Sequence, residues 1–542
     1  MATYTEHLPS PALSDVSAHS EQGYLPVQAS LPARHHERRL GDTEASYFLP
    51  SRESGVNDMY LHLGFNAHAR YVRRSRVRLV WAILRVRHPL LASRVQMHDY
   101  EDIRFVYIAP ASVEEALNDA DRNLETRSAA VKDELIDSYL NGPRTLSADR
   151  LSFLIISSVD EGPSLPSPPS TPIPSTTAPH GTNASVNHDI LICATHFLGD
   201  GMALHQFAND FFSLLGSSKD ENELEGVLRT EWETRCNKAD DEHTLPSSLE
   251  DRLPAAPTGR FYNAACRVDF QRCQDKLIGG HTFPRRPGQP RRTIVPTISI
   301  DAERTKKMLK TCKAHGVSIS SAYFALCNIA WARTTDSKWE VPSMMYSALN
   351  LRPNLNANKA LNDSYWYLAI GYFNVVLPSF FPKTGDVTGT FWHRARSAKE
   401  QSTLAAKSPM LVPRSREMAR ERGVRARAWG KEDDEKARGV WVPPPPKPAV
   451  QGPARAPSAA LIGLSLLGNL DGIYKHANFG DVKLHTLTTG SRQRAGGMLL
   501  FGYTFVGKLW ISLGYDENGF EKETVDKFWD NLLRSTDEFL DA

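Results

Sequence analysis

The chain has 542 residues, 64 Lys and Arg against 62 Asp and Glu, and a formal net charge of +2. That length can hold two domain-sized cores. The balanced charge excludes a general nucleic-acid binder, whose affinity comes from neutralising phosphates.

The six Cys are scattered and form no Cys-x-x-Cys pair, which excludes a disulfide framework and a zinc ribbon. Cys193, Cys312 and Cys327 sit in apolar runs and read as buried free thiols. No run approaches about 18 apolar residues, so no membrane span is expected. The first residues lack a basic stretch followed by an apolar one, so no signal peptide is expected and the expected compartment is the cytoplasm. No heptads or internal repeats argue for assembly, and a monomer is expected.

Residues 1–34 are polar and rich in Pro, Ser and His, and read as a flexible tail. Residues 35–250 read as a first structural unit. Within it, Met59 to about Arg94 reads as a helix feeding a turn, with Pro89 marking the boundary. Residues 104–110 and 151–159 are rich in β-branched and aromatic residues and read as strands. The stretch at about 161–186 is Pro/Ser/Thr-rich and reads as a disordered loop. Its flanking strands are still expected to pair, because loop-closure entropy grows slowly with length.

Residues 251–291 are Arg- and Pro-rich and read as a crossover linker to a second unit, 292–542. There, 292–300 reads as a strand, and 303–333 as two helices split at Gly316, the second starting at Ser318 or Ser320. Residues 341–353 and 367–378 are strand-like. Residues 414–457 carry a dense charge run, prolines from Pro443 to Pro446 and almost no apolar periodicity, so they read as a solvated low-complexity insertion. Order returns at 460–470, followed by a loop around His476–Leu484 and two strands joined at Val506-Gly507-Lys508. Val525, Phe528, Trp529, Leu532 and Leu533 mark a closing helix. Strands alternate with helices in both halves, which predicts an α/β layered fold.

The chemistry concentrates in 188-HDILICATHFLGDGMALHQFANDFF-212. Apolar residues run almost continuously up to His196, as in a strand covered on both faces. From Met202 the period changes, and Leu204, Phe207, Ala208, Phe211, Leu214 and Leu215 share one helical face. His196 therefore stands at a strand end and Asp200 at a helix N-cap, with Gly199 and Gly201 leaving space beside the imidazole. The positive end of the helix should keep His196 neutral, as a general base requires. A strand-end His alone is more often structural, and Asp200 alone reads as a cap. His196, Asp200 and His205 do not complete a ligand set, so no metal is expected. The sequence has no Gly-x-Ser-x-Gly, Walker A, Gly-x-Gly-x-x-Gly with an acidic partner, or His-Glu-x-x-His. Direct transfer from an activated acyl donor fits better than a covalent enzyme intermediate.

His196–Gly201 resembles the H-x-x-x-D-G motif of the CoA-dependent acyltransferase superfamily, which includes chloramphenicol acetyltransferases, plant BAHD and carnitine acyltransferases and peptide-synthetase condensation domains. The segments 85-RVRHPLLASRV, 346-YSALNLRPNL, 371-GYFNVVLP and 464-LSLLGNLDG follow in the family's order. The nearest likeness is to fungal alcohol acetyltransferases of the trichothecene 15-O-acetyltransferase type. Thr195 stands where the condensation branch carries a second His, and 478-NFGD lacks the Trp of the plant D-F-G-W motif.

The resemblance implies two chloramphenicol-acetyltransferase-like subdomains with a tunnel between them. It implies His196 as general base, Asp200 as a structural residue paired with Arg352, and Gly201 allowing close approach of substrate. Ser465 or Asn469 would hold the thioester oxyanion. It further implies acyl-CoA, with acetyl-CoA foremost, as co-substrate, a small-molecule alcohol, of secondary-metabolite type, as acceptor, and no permanently bound cofactor. A condensation-type N-acyl transferase with a carrier-bound donor and an inactive scaffold relative are the alternatives.

Overall fold

Two mixed sheets, each backed by helices, carry the architecture of the computed structural model, which describes residues 34–158, 185–236, 244–335, 338–356, 364–445 and 455–541. The first sheet has five strands in the order Lys483–Ser491, Met59–His68, Ser185–Ala194, Ser152–Ser158 and Leu124–Ser128. Its pairs are antiparallel except the last. Ser185–Ala194 lies at the centre, which explains its near-continuous apolar run. Its partner Ser152–Ser158 lies across the low-complexity stretch, most of which (159–184) falls outside the described residues, as do residues 1–33.

Three expectations from the sequence need correction here. Met59–His68 is a strand, and the helix begins only at Arg74 and runs to Arg87. Met59, Leu61, Leu63, Phe65 and Ala67 join the main core while Tyr60 joins a smaller cluster on the other face. The apolar face alternates with Tyr60, His62, Gly64, Asn66 and His68, which is the two-residue period of a strand and not the period of a helix. The stretch read as a loop around His476–Leu484 leads into the strand Lys483–Ser491, which leaves the second half and closes the edge of the first sheet against Met59–His68. The linker 251–291 contains a helix, Arg260–Asp275, tied by Asp269 to Arg414.

The second sheet runs in the order Ile370–Leu377, Ser343–Asn350, Ala460–Asn469, Met498–Phe505 and Lys508–Asp516. Thr293–Ile294 and Thr297–Ile300 both pair with the last strand. Val506 (φ 47°) and Gly507 (φ 71°) form the two-residue hairpin turn, a conformation Gly accepts freely and Val rarely. Helices Ala302–Ala314, Ile319–Thr334, Val387–Lys407 and Lys522–Leu540 cover this sheet and share its core. Ser318 caps the second of these through Ser321 N. A separate three-stranded sheet holds His35–Arg39, Ile103–Ile108 and Arg94–Met97. Cys193, Cys312 and Cys327 are buried and free.

The segment 414–457 is not a solvated insertion along its whole length. Its first part belongs to a 27-residue helix, Leu411–Ala437. Ala419, Gly423, Ala426 and Gly430 are buried along one face, against helix Asp42–Ser51. Arg427 pairs with Asp42 at 2.7 Å, and Arg52 pairs with Asp434. A helix of the second half is thereby fastened to the first. Among the described residues no helix is long and apolar enough to cross a membrane.

Candidate active site

The strand Ser185–Ala194 ends at Thr195, and His196–Leu198 form a single tight turn before Gly199 and Asp200. Helix Gly201–Leu215 then begins with Asp200 as its cap. Asp200 Oδ1 accepts from Met202 N and Ala203 N at 3.1 and 3.2 Å. Arg352 Nη1 donates to Oδ1 and Oδ2 at 2.9 and 2.8 Å, and Ala369 N donates to Oδ2 at 3.0 Å. Both carboxylate oxygens are therefore fully occupied, which suits a structural anchor and leaves no lone pair directed at a substrate.

Gly199 has extended backbone, so its role is spatial. A Cβ there would stand 3.0 Å from Trp366 Cε3 and 3.1 Å from Ala203 Cβ. Trp366 comes from the second half and is buried in the first half's core. Its neighbour Tyr365 donates to Asp210 Oδ2 at 2.9 Å. At Gly201 a Cβ would meet only Leu467 Cδ2, at an ordinary 3.5 Å.

His196 is half-buried on the wall of a cavity of about 1120 Å³, to which both halves contribute. Its Nδ1 lies 3.1 Å from Gly199 O. A carbonyl only accepts, so Nδ1 carries the proton and a neutral ring has its lone pair on Nε2. Burial lowers the pKa of His196 below the ordinary value; its hydrogen bonds and the charge of Asp200 oppose the shift, and Arg422 reinforces it. Burial is thus the leading cause of neutrality. Tyr47 stacks on the imidazole with ring centroids 4.3 Å apart.

Of the other residues singled out from the sequence, Ser465 and Gly201 line the cavity. Asn469 does not belong with them. It is exposed, its side chain accepts from Asp471 N at 3.1 Å, and it closes the turn after the strand. A register shift between Leu466 and Gly468, with Gly468 at φ 73°, breaks the alternation that would have put residues 465 and 469 on one face. His205 is buried against Tyr474 OH at 2.9 Å, remote from any ligand set. Among the described residues no group of three or more His, Cys, Asp or Glu could hold a metal ion.

Tyr47, Tyr372 and Arg422 carry no motif that marks them in the sequence. The two tyrosine hydroxyls hydrogen-bond each other, and the Arg422 guanidinium lies 5.0 and 4.9 Å from their ring centroids. All three line the cavity with His196. They come from a helix, a strand and the corrected segment 411–437, far apart in the chain and without a shared motif.

No family model and no curated protein matches the sequence. Solved structures do. A trichothecene 15-O-acetyltransferase from Fusarium sporotrichioides superposes with TM-score 0.68 at 16% identity, over 94% of this chain and 96% of that one. The first condensation domain of the CDA synthetase gives TM-score 0.53 at 11% identity, over 93% and 96%. The epimerization domain from the third module of tyrocidine synthetase B gives 0.51 at 12%, over 92% and 93%. The chain has the two-subdomain α/β fold of these acetyltransferase, condensation-domain and epimerization-domain structures.

Proposed function

We propose that the protein is an O-acyltransferase that moves an acyl group, acetyl foremost, from acyl-CoA to a hydroxyl of a small molecule. The observation that carries this reading is His196. It stands on the wall of a cavity shared by both halves, with Nδ1 engaged by a carbonyl and Nε2 left as the basic nitrogen. Nε2 takes the acceptor's proton as its oxygen bonds to the thioester carbonyl carbon. The tetrahedral intermediate collapses, the C–S bond breaks, and the thiolate leaves with that proton. A positioned base of this kind is worth about 10²–10⁴ in rate. Ser465, on the facing strand Ala460–Asn469, is assigned to the developing oxyanion. Asp200 and Arg352 hold the loop and take no part in proton transfer.

Five arginines and two aspartates border the cavity, a balance that favours an anionic ligand such as CoA. Likeness to condensation domains supports a second reading, in which the donor thioester is delivered on a carrier protein. Acceptor-dependent thiol release, measured with acetyl-CoA and with an acetylated phosphopantetheinyl carrier, separates the two. Turnover with free acetyl-CoA supports the first reading; turnover with the carrier alone supports the second and overturns the first.

A further inference from the structure

Arg422 is a permanent charge with no carboxylate partner among the described residues. Among the described residues no ion pair includes it, whereas the neighbouring cavity residues Arg352 and Arg425 pair with Asp200 and Glu421. Its immediate company is the pair of hydroxyls on Tyr47 and Tyr372. Two phenol oxygens cannot occupy the five N–H donors of a guanidinium, and the planar fork is the group best matched to a carboxylate. A half-buried guanidinium in this setting favours an anionic oxygen group from the ligand.

Its position says which ligand. His196 and Arg422 flank the same Tyr47 ring, at 4.3 and 5.0 Å from its centroid, so the two groups are separated by less than the sum of those distances. The phosphates of CoA are held away from its thioester by the whole pantetheine arm. With the thioester carbon beside His196, they fall well beyond Arg422. A bound acetyl thioester is neutral, and its oxyanion, present only during the reaction, is assigned to Ser465. The remaining ligand within reach of both residues is the acceptor.

We propose that Arg422 is the specificity-determining residue for the acceptor, and that the acceptor is a hydroxylated carboxylic acid whose carboxylate docks on Arg422 while its hydroxyl reaches His196. This rests on the acyl-transfer reading above. Tyr47 and Tyr372 fix the guanidinium, and Tyr47 sets the spacing between recognition and chemistry. The feature lies on a helix that charge density alone marked as solvated, and its placement depends on the packing of Gly423 and Gly430 against helix Asp42–Ser51.

The test is equilibrium binding by calorimetry of ω-hydroxyalkanoates and hydroxycyclohexanecarboxylates, each against its methyl ester, to the full chain. The wild-type protein is expected to favour the acids about ten- to hundredfold, the value of one charge-assisted contact. Arg422→Gln should abolish that preference, Arg422→Lys should keep part of it, and Arg420→Gln, exposed on the same helix, should leave it intact. Equal affinity for acids and esters in the wild type, or a preference that survives Arg422→Gln, overturns the assignment. Thiol release from acetyl-CoA, measured on the same panel, separates the two claims. Acids bound through Arg422 without any thiol release would overturn acyl transfer and leave the binding site standing. Esters turned over as efficiently as acids, or an equal loss of rate for both in Arg422→Gln, would overturn the acceptor assignment and leave acyl transfer standing.

Discussion

Arg352 reaches across 152 residues of sequence to Asp200, with one Nη1 at 2.9 and 2.8 Å from the two carboxylate oxygens. The same carboxylate caps helix Gly201–Leu215 and receives Ala369 N from the second half, so it fixes the His196 loop to both halves at once. Asp200→Asn removes the charge and one acceptor site while keeping the shape. Breaking a buried pair from one side typically costs about 3–5 kcal/mol. Urea denaturation should show a loss of that order together with reduced activity. A wild-type midpoint would show that the pair does not anchor the loop.

The pH dependence of kcat/KM should report His196. The reaction needs the neutral imidazole, and burial lowers its pKa, so activity rises with pH through a limb centred below the ordinary histidine value of about 6.5 and is flat above it. A limb centred above that value would contradict the electrostatics of the site.

The two glycines of the motif should separate in their effects. Gly199→Ala sets a methyl 3.0 Å from Trp366 and 3.1 Å from Ala203, so a wedge between the halves must open. A stability loss of about 1–3 kcal/mol is expected, as for overpacked cores. Gly201→Ala meets only Leu467 at 3.5 Å and should unfold like the wild type, with its effect confined to KM. Equal midpoints for both variants would remove the steric account of Gly199.

Acid sensitivity should trace in part to His205, whose pKa burial lowers to about 3. The unfolded chain takes up this proton near pH 6.5 and the folded chain does not. The stabilisation is therefore complete above about pH 6.5 and is lost as pH falls toward 3, by up to about 1.4 kcal/mol per pH unit. Denaturation of the wild type and His205→Gln at pH 7, 5 and 4 should give stabilities that converge as pH falls. Parallel lines would show that His205 is not the proton acceptor in unfolding.

How much of this was legible in the sequence depended on whether the signal was local. The strand ending at Thr195, the Asp200 cap and the helix after it were readable because the apolar period changes at Met202. Helix Leu411–Ala437 was missed because its buried stripe, Ala419, Gly423, Ala426 and Gly430, is built from small residues that give no hydrophobic signal. The stripe works by close approach, and only helix Asp42–Ser51 reveals it. Strand Lys483–Ser491 pairs with a strand more than four hundred residues earlier, a topology no window of sequence contains. The reading of Asn469 failed on one bulge at Leu466–Gly468, since a single extra residue reverses which face a strand presents. The contact of Asp200 with Arg352 was suggested by family resemblance alone, because nothing in either segment points to the other.

The most direct test of the account is acceptor-dependent thiol release from acetyl-CoA by wild type and His196→Ala proteins matched for thermal midpoint. Release by the wild type and a loss of about 10²-fold or more in the variant are expected, because the base alone is worth that much. Release by His196→Ala at the wild-type rate would contradict the assignment of His196 as the base and, with it, the proposed mechanism.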